Sequence, residues 1–370
     1  MTGSMFELPV RDDLVGVTAY GAPQLEVQVR LNVNENPYPP TAELADAIAE
    51  SVRTAALGLN RYPDRDALDL RASLAGYLGA ESGVSVDPAH VWAANGSNEV
   101  MHHLFLAFGG PGRLALTFGP TYSMYPEYAR DTFTEFAVYP RNDAFEIDVA
   151  RALPIIAERR AAMVIVTSPN NPTGTALPQP DLIALATAAL AAGSMLIVDE
   201  AYAEFRREGT PSALELLGRF PNLVVSRTMS KAFGLAGARL GYAVAADFAV
   251  VDTLKVVRLP YHLSAVTQAV ASTALRYADV LQAQVAVLRS ERDALATWLA
   301  GSGFTVVESD ANFIMFGIFD DRAGVWQRLL DRGVLIRQPE PEGWLRVSIG
   351  TPDENDRFRR ALLEATASSD

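Results

Sequence analysis

Met195-Leu-Ile-Val-Asp-Glu-Ala-Tyr202 runs four apolar residues directly into an acid. An unbroken apolar run of that length reads as a strand buried on both faces, as in a parallel sheet covered by helices. It places Asp199 at the strand's carboxyl end, where open α/β sheets bind ligands. Met163-Val-Ile-Val-Thr-Ser-Pro-Asn-Asn-Pro-Thr-Gly174 repeats the pattern and ends in a turn fixed by Pro169 and Pro172. The Asn171–Pro172 bond is a candidate cis peptide, and the turn aims Asn171 at the same sheet edge. A third stretch, Val91-Trp-Ala-Ala-Asn-Gly-Ser-Asn-Glu-Val-Met101, reads as strand, glycine and helix start. Ser97 and Asn98 then lie at a helix terminus whose free amides and macrodipole attract an anion.

Ser226-Arg-Thr-Met-Ser-Lys-Ala-Phe-Gly-Leu-Ala-Gly-Ala-Arg-Leu-Gly-Tyr242 follows a further apolar run, Leu223-Val224-Val225. It sets Lys231 among small and hydroxylated residues, with Arg239 shortly after. Burial disfavours an ammonium, lowers its pKa and leaves an amine suited to a Schiff base with an aldehyde. An arginine, rigid and permanently charged, suits a phosphate near that aldehyde. Together they point to pyridoxal 5'-phosphate, PLP. In that reading Asp199 holds the ring nitrogen protonated and keeps the ring an electron sink, while Asn171 and Tyr202 donate to the ring's phenolate oxygen. Taken singly, the same residues have plainer readings: Lys231 as a surface lysine, Asp199 as a helix cap, Tyr202 as a packed tyrosine, Ser97 and Asn98 as an ordinary N-cap.

The wider chain decides between them. Apolar runs at 91–94, 114–118, 163–167, 195–199, 223–227 and 240–245 alternate with helix-period stretches, which predicts an α/β layer fold on a mostly parallel sheet. Residues 1–40 form an arm rich in Pro and Asn, 41–263 a large ligand-binding domain, and 264–370 a linking helical region followed by a small α+β domain with strands near 304–307, 313–317, 334–337 and 345–349. A net charge of −13 argues against nucleic acid or an anionic membrane surface as partner, and the absence of cysteine removes disulfides and thiolate metal sites. The N-terminus Met1–Val10 lacks the pattern of a signal peptide, no apolar stretch approaches a membrane span, and cytoplasm is the expected compartment. The adjacent His102 and His103 point different ways on a helix and do not make a metal site. Asp12-Asp13 and Asp320-Asp321 read as solvated turns, and Gly109-Gly-Pro-Gly112 lacks the lysine of a P-loop.

Asn171-Pro-Thr-Gly174, Asp199 with Tyr202, and Ser230-Lys231 with Arg239 resemble fold-type I PLP enzymes of the aspartate aminotransferase superfamily. Leu31-Asn-Val-Asn-Glu-Asn-Pro-Tyr-Pro-Pro40, Arg61-Tyr-Pro-Asp64, Pro120-Thr-Tyr-Ser-Met-Tyr125, Pro260-Tyr-His-Leu-Ser264, Ala311-Asn-Phe313 and Leu345-Arg-Val-Ser-Ile-Gly-Thr351 are closer still to its histidinol-phosphate aminotransferase family. The resemblance implies a ping-pong transfer of an amino group between L-histidinol phosphate and 2-oxoglutarate, in histidine biosynthesis. It makes Lys231 the cofactor-bonding and proton-shuttling amine and stacks Tyr122 on the ring. It assigns the cofactor phosphate to Ser97, Asn98, Thr228, Ser230 and Arg239, and adds Tyr62 from a second chain, so that a homodimer shares its sites. Tyr20, Asn34, Arg337 and Arg346 would bind substrate, the two arginines gripping its phosphate. Two departures stand out: Asn98 where many relatives carry aspartate, and a short loop between Arg337 and Arg346 that carries Glu340 and Glu342. An aromatic amino acid aminotransferase, a PLP-dependent decarboxylase of a phosphorylated amino acid, and a non-catalytic PLP-binding protein share many of these motifs.

Overall fold

The computed structural model describes residues 8–367. The sequence reading at Met1–Val10 lies, for residues 1–7, outside that range. The elements follow in chain order: β1 (Val29–Arg30), α1 (Ala42–Ala56), α2 (Leu68–Ser82), β2 (Val91–Ala94), α3 (Ser97–Phe108), β3 (Leu114–Gly119), α4 (Tyr125–Asp131), β4 (Glu135–Pro140), α5 (Val149–Arg159), β5 (Met163–Thr167), α6 (Gln179–Ala192), β6 (Met195–Asp199), β7 (Leu223–Thr228) and β8 (Gly241–Ala245). After them come α7 (Phe248–Val257), α8 (Ala265–Leu275), α9 (Ala278–Gly301), β9 (Thr305–Val306), β10 (Phe313–Gly317), α10 (Arg322–Asp331), β11 (Val334–Leu335), β12 (Leu345–Ser348) and α11 (Pro352–Thr366).

A seven-stranded sheet in the order β2-β8-β7-β6-β5-β3-β4 organises the chain. Its members pair in parallel except β8, which runs antiparallel to both β2 and β7. Strands β5 and β7 are buried along their whole length and β6 from Leu196 onward, and alternate residues feed two separate cores: Val164, Val166, Leu196 and Val198 on one face, Met163, Ile165 and Ile197 on the other. That is the physical content of an unbroken apolar run, since the side-chain period of two sends neighbours to opposite faces and both must be dry. Each such side chain contributes roughly 1.5–3 kcal/mol by leaving water. A three-stranded antiparallel sheet, β12-β10-β9, forms the second layer system. The N-terminal arm joins it through β1, which pairs in parallel with β11.

The structure departs from the sequence reading in three places. Strand β4 had no signal because it is an edge strand, half-exposed along both faces, and it ends in Pro140, which an edge tolerates. The helical region after 264 is two helices, broken at Arg276–Tyr277. The strand expected at 334–337 is only two residues long, and Arg337 makes an isolated bridge to Arg346. Asp320 and Asp321 are exposed turn residues, as read, and the Asp321 carboxylate also caps α10 by accepting from the Gly324 amide at 2.8 Å. The Asn171–Pro172 bond is cis.

Candidate active site

Because β3, β5, β6 and β7 run in parallel, their carboxyl ends share one edge, and a cavity of about 570 Å³ opens there. Tyr20, Asn34, Ser97, Asn98, Tyr122, Asn171, Asp199, Tyr202, Thr228, Ser230, Lys231, Arg239, Arg337 and Arg346 all line it. Tyr62 does not. It is 79% exposed and stacks on Tyr261, ring centroids 4.4 Å apart. A second hollow of about 980 Å³ between the arm and α10 contains none of these residues.

Lys231 leaves the end of β7 and donates from Nζ to the Val33 carbonyl at 2.9 Å. Burial lowers its pKa to about 8, with the Arg346 and Arg239 charges adding to the effect and Glu35 opposing it. Asp199 ends β6 and is buried; burial raises its pKa to about 6, against a hydrogen bond from Tyr125 and one from the Ala201 amide. Tyr202 accepts from Asn34 Nδ2 at 3.0 Å and from Asn171 Nδ2 at 3.5 Å. Burial pushes that phenol up to about 12, while Arg346 and Asn34 pull the other way. Asn34 holds its position from a left-handed backbone conformation, φ 58°, pinned by two hydrogen bonds with Ser348.

The phosphate end of the cavity depends on close backbone approach. A Cβ on Gly241 would lie 2.0 Å from the Ser97 nitrogen, and one on Gly96 would lie 2.6 Å from Arg239 Nη2. Only glycine at both positions lets β8 and the start of α3 meet with the Arg239 guanidinium beside the helix terminus. Arg337 and Arg346 stand on paired backbone, each amide donating to the other's carbonyl at 3.0 Å. Arg346 is buried, stacks its guanidinium over Phe313, donates to Asn171 Oδ1 and to the Asn32 carbonyl, and leaves Nε without a partner. Among the described residues none of Arg239, Arg337 and Arg346 forms an ion pair with a carboxylate. Four cationic side chains line the cavity against three acids, Glu35, Asp199 and Glu340, and the three guanidiniums, not ion-paired with any of them, are available to anions. The cavity fits PLP: an amine kept reactive, a buried carboxylate for the ring nitrogen, and a glycine-lined helix start with Arg239 for the phosphate.

Sequence reading missed several lining groups. The Val33 carbonyl carries no side-chain signal, and Thr121, Thr167 and Glu340 lie on the wall without having been singled out as site residues. His103 is buried against Trp92, whose Nε1 donates to its Nδ1 at 3.2 Å. Reductive alkylation of Lys231 in the cofactor-free protein should rise with pH along a single titration centred near 8. A midpoint near the ordinary lysine value would show the amine to be solvated.

The family model for aminotransferase class I and II matches residues 26–362. A histidinol-phosphate aminotransferase of Thermobifida fusca is 59% identical over 98% of this chain and 97% of its own length. Histidinol-phosphate aminotransferase 3 of Burkholderia lata is 54% identical over 98% and 97%. The crystal structure of histidinol-phosphate aminotransferase from Sinorhizobium meliloti, in complex with pyridoxal-5'-phosphate, superposes with a TM-score of 0.86 at 24% identity, covering 98% of this chain and 99% of that one, a likeness of fold. A matched stretch that runs from the arm through α11, over a cavity of this composition, settles the family: the chain belongs to the class I and II aminotransferases.

Proposed function

We propose that this chain is a PLP-dependent aminotransferase that moves the amino group between L-histidinol phosphate and 2-oxoglutarate in two half-reactions, as part of histidine biosynthesis. The observation that carries the substrate is the pair Arg337 and Arg346, held side by side in the same cavity as Lys231. The names of relatives at 54–59% identity point the same way.

When bound, PLP supplies an aldehyde carbon and an electron-accepting ring. The chain's residues do the rest. Lys231 Nζ would be the amine that holds the cofactor's aldehyde carbon, with loss of water, and when free it would be the base for the proton on the substrate carbon that bears the amino group. Asp199 holds a proton on the ring nitrogen. Tyr202 and Asn171 would hydrogen-bond the ring oxygen, and Tyr122 would pack against the ring. Ser97, Asn98, Thr228, Ser230 and Arg239 hold the cofactor phosphate. Arg337 and Arg346, with Tyr20 and Asn34 beside them, hold the substrate's phosphate in the first half-reaction and the carboxylates of 2-oxoglutarate in the second. Tyr62 reaches the cavity of a second copy, and its exposure beside exposed Leu57, Leu59 and Leu259 supports a homodimer. Division of the chain near residues 40 and 263 is supported by the separate sheets and by the β1–β11 link of the arm to the C-terminal part.

Single-turnover spectra of the PLP-loaded protein test the substrate. The bound-aldehyde absorbance should disappear rapidly with L-histidinol phosphate and with L-glutamate, and slowly with L-phenylalanine. Fast loss with phenylalanine and little with histidinol phosphate would make this an aromatic aminotransferase, and release of carbon dioxide would make it a decarboxylase. Arg337→Ala should lower kcat/KM for L-histidinol phosphate by about 100-fold, the order expected when one side of a buried charged contact is removed, while the PLP dissociation constant changes much less. Equal loss of both would mark Arg337 as structural.

A further inference from the structure

Behind Asp199 runs a line of hydroxyls. Thr121 Oγ1 lies 3.1 Å from Thr167 Oγ1, Thr167 Oγ1 lies 2.7 Å from Tyr125 Oη, and Tyr125 Oη donates to Asp199 Oδ2 at 2.8 Å. Tyr125 is wholly buried, whereas Thr121 and Thr167 reach the cavity wall. The fold sets this line. Thr167 and Asp199 are register partners at the ends of parallel β5 and β6, so their side chains leave the sheet on the same face. Tyr125 opens α4, which follows β3, the other neighbour of β5.

Each hydroxyl has one hydrogen to give, and an ionised carboxylate only accepts. With the Tyr125 hydrogen committed to Asp199, Thr167 must donate to Tyr125, and Thr121 to Thr167. Every donor therefore points toward Asp199. The other carboxylate oxygen, Oδ1, accepts the Ala201 amide at 3.2 Å, so both oxygens are anchored and the group's orientation is fixed. Around this carboxylate are further phenols, and one acid lies behind it on the side away from the cavity. Tyr122 packs edge-on against Tyr125 at 5.6 Å, and Glu200, next along the chain, opposes the negative charge. None of these supplies a cation. Burial pushes Asp199 toward the neutral acid, and the Tyr125 hydrogen bond is the first force pulling it back. Tyr125 keeps its own proton, because burial and the neighbouring Asp199 charge both raise its pKa.

We propose that Tyr125, oriented by Thr167 and Thr121, is the positioning residue that keeps Asp199 an ionised, correctly aimed partner for the cofactor's ring nitrogen. This rests on the PLP reading given above. Tyr125 touches neither substrate nor cofactor; it acts through Asp199.

The test uses holoenzyme loaded with PLP labelled with nitrogen-15 in the ring. In the wild-type protein at neutral pH the ring nitrogen should show the chemical shift of the protonated form. In Tyr125→Phe the shift should move toward the unprotonated form, and the single-turnover rate with L-histidinol phosphate should fall about tenfold or more, the loss of one hydrogen bond to a charged group. Thr167→Val, nearly isosteric and linked to Asp199 only through the Tyr125 hydroxyl, should produce a smaller shift of the same sign even if Tyr125→Phe folds poorly, and Thr167→Ser should keep the wild-type signal. Retention of the wild-type shift in both Tyr125→Phe and Thr167→Val would overturn the proposal. A wild-type ring nitrogen that is itself unprotonated would sink the underlying assignment of Asp199 instead, so the two failures are told apart.

Discussion

Replacing Lys231 by alanine should abolish amino-group transfer, lowering turnover by at least about 10⁴-fold, the upper range for loss of a positioned acid–base group, because the same nitrogen serves as nucleophile and proton carrier. The loss should come without a loss of stability. Lys231 has a folded-state pKa lowered from 10.5 to about 8, so between those values the unfolded chain binds the proton that the folded chain has released. The penalty of burying the ammonium is then fully present below pH 8 and fades as pH rises toward 10.5. Cofactor-free Lys231→Ala should therefore melt no lower than the wild type, with its greatest relative gain below pH 8. An inactive variant that is no less stable is the mark of a residue kept for chemistry at the fold's expense. The chain offers a clean control, since it has only two lysines and the other, Lys255, is bonded to Asp252 on α7. Borohydride reduction of the PLP-loaded wild type should leave one adduct, on Lys231. An adduct on Lys255 alone, or full turnover by Lys231→Ala, would move the nucleophile elsewhere.

Much of this was legible in the sequence, for a physical reason that also marks the limits. Strands β5, β6 and β7 are dry on both faces, so their apolar runs cannot be mistaken for half-exposed strands. The first polar residue after each run, at Thr167, Asp199 or Ser226, falls at or near the open edge of the sheet. Edge strand β4 has water on both faces and one neighbour, so its residues alternate weakly and carry no such sign. Within the site, groups with unusual chemistry were readable one at a time, but their partnerships were not. Tyr125 and Asp199 are 74 positions apart, and Asn171 and Arg346 are 175 apart. No local pattern records a hydroxyl that reaches across that distance. The short loop after Arg337 left the local charge open in the sequence, and the structure brings Glu340 to the cavity wall but not Glu342. Tyr62 stands exposed outside the cavity, and one chain's sequence does not say what an exposed tyrosine meets.

The largest structural effect should come from Arg227→Met. Arg227 follows Ser226 on β7 and is 1% exposed. Its Nε and Nη2 donate to Glu200 Oε2 at 3.0 and 2.8 Å, its Nη1 to Glu81 Oε2 at 2.9 Å, and Nη2 also to Ser212 Oγ at 3.0 Å. Glu204 lies 3.7 Å away and Arg206 bridges Glu81 from the other side at 3.1 Å. The cluster thus gathers three carboxylates and two guanidiniums, and burial raises Glu204 to about 7, so that near neutrality this carboxyl is only partly ionised and the excess of negative charge is reduced. Burial raises Glu200 too, but Arg227 and Arg206 outweigh it and leave that carboxyl below its ordinary value. Removing Arg227 strands Glu200 in the interior with Arg206 at 3.9 Å as its nearest cation. Breaking one side of a buried pair costs roughly 3–5 kcal/mol, a large share of the ~5–15 kcal/mol that holds a typical fold. Lysine should not substitute, having no fork to reach Glu81 and Glu200 together. The double variant with Glu200→Gln should recover part of the loss, because it removes the stranded charge. Glu200's contribution is present above its unfolded value of 4.5 and is lost as pH falls, so the gap between wild type and Arg227→Met should narrow in acid. The measurement is the urea midpoint of the cofactor-free proteins at one fixed concentration. A midpoint unmoved by Arg227→Met would mean that the cluster is neutralised by groups other than those in contact with it. A lowered midpoint with a weakened PLP affinity would tie the cluster to function. Glu200 follows Asp199, and Arg227 precedes Thr228, so the ion pair on the buried side of β6 and β7 holds in register the two residues that face the cavity.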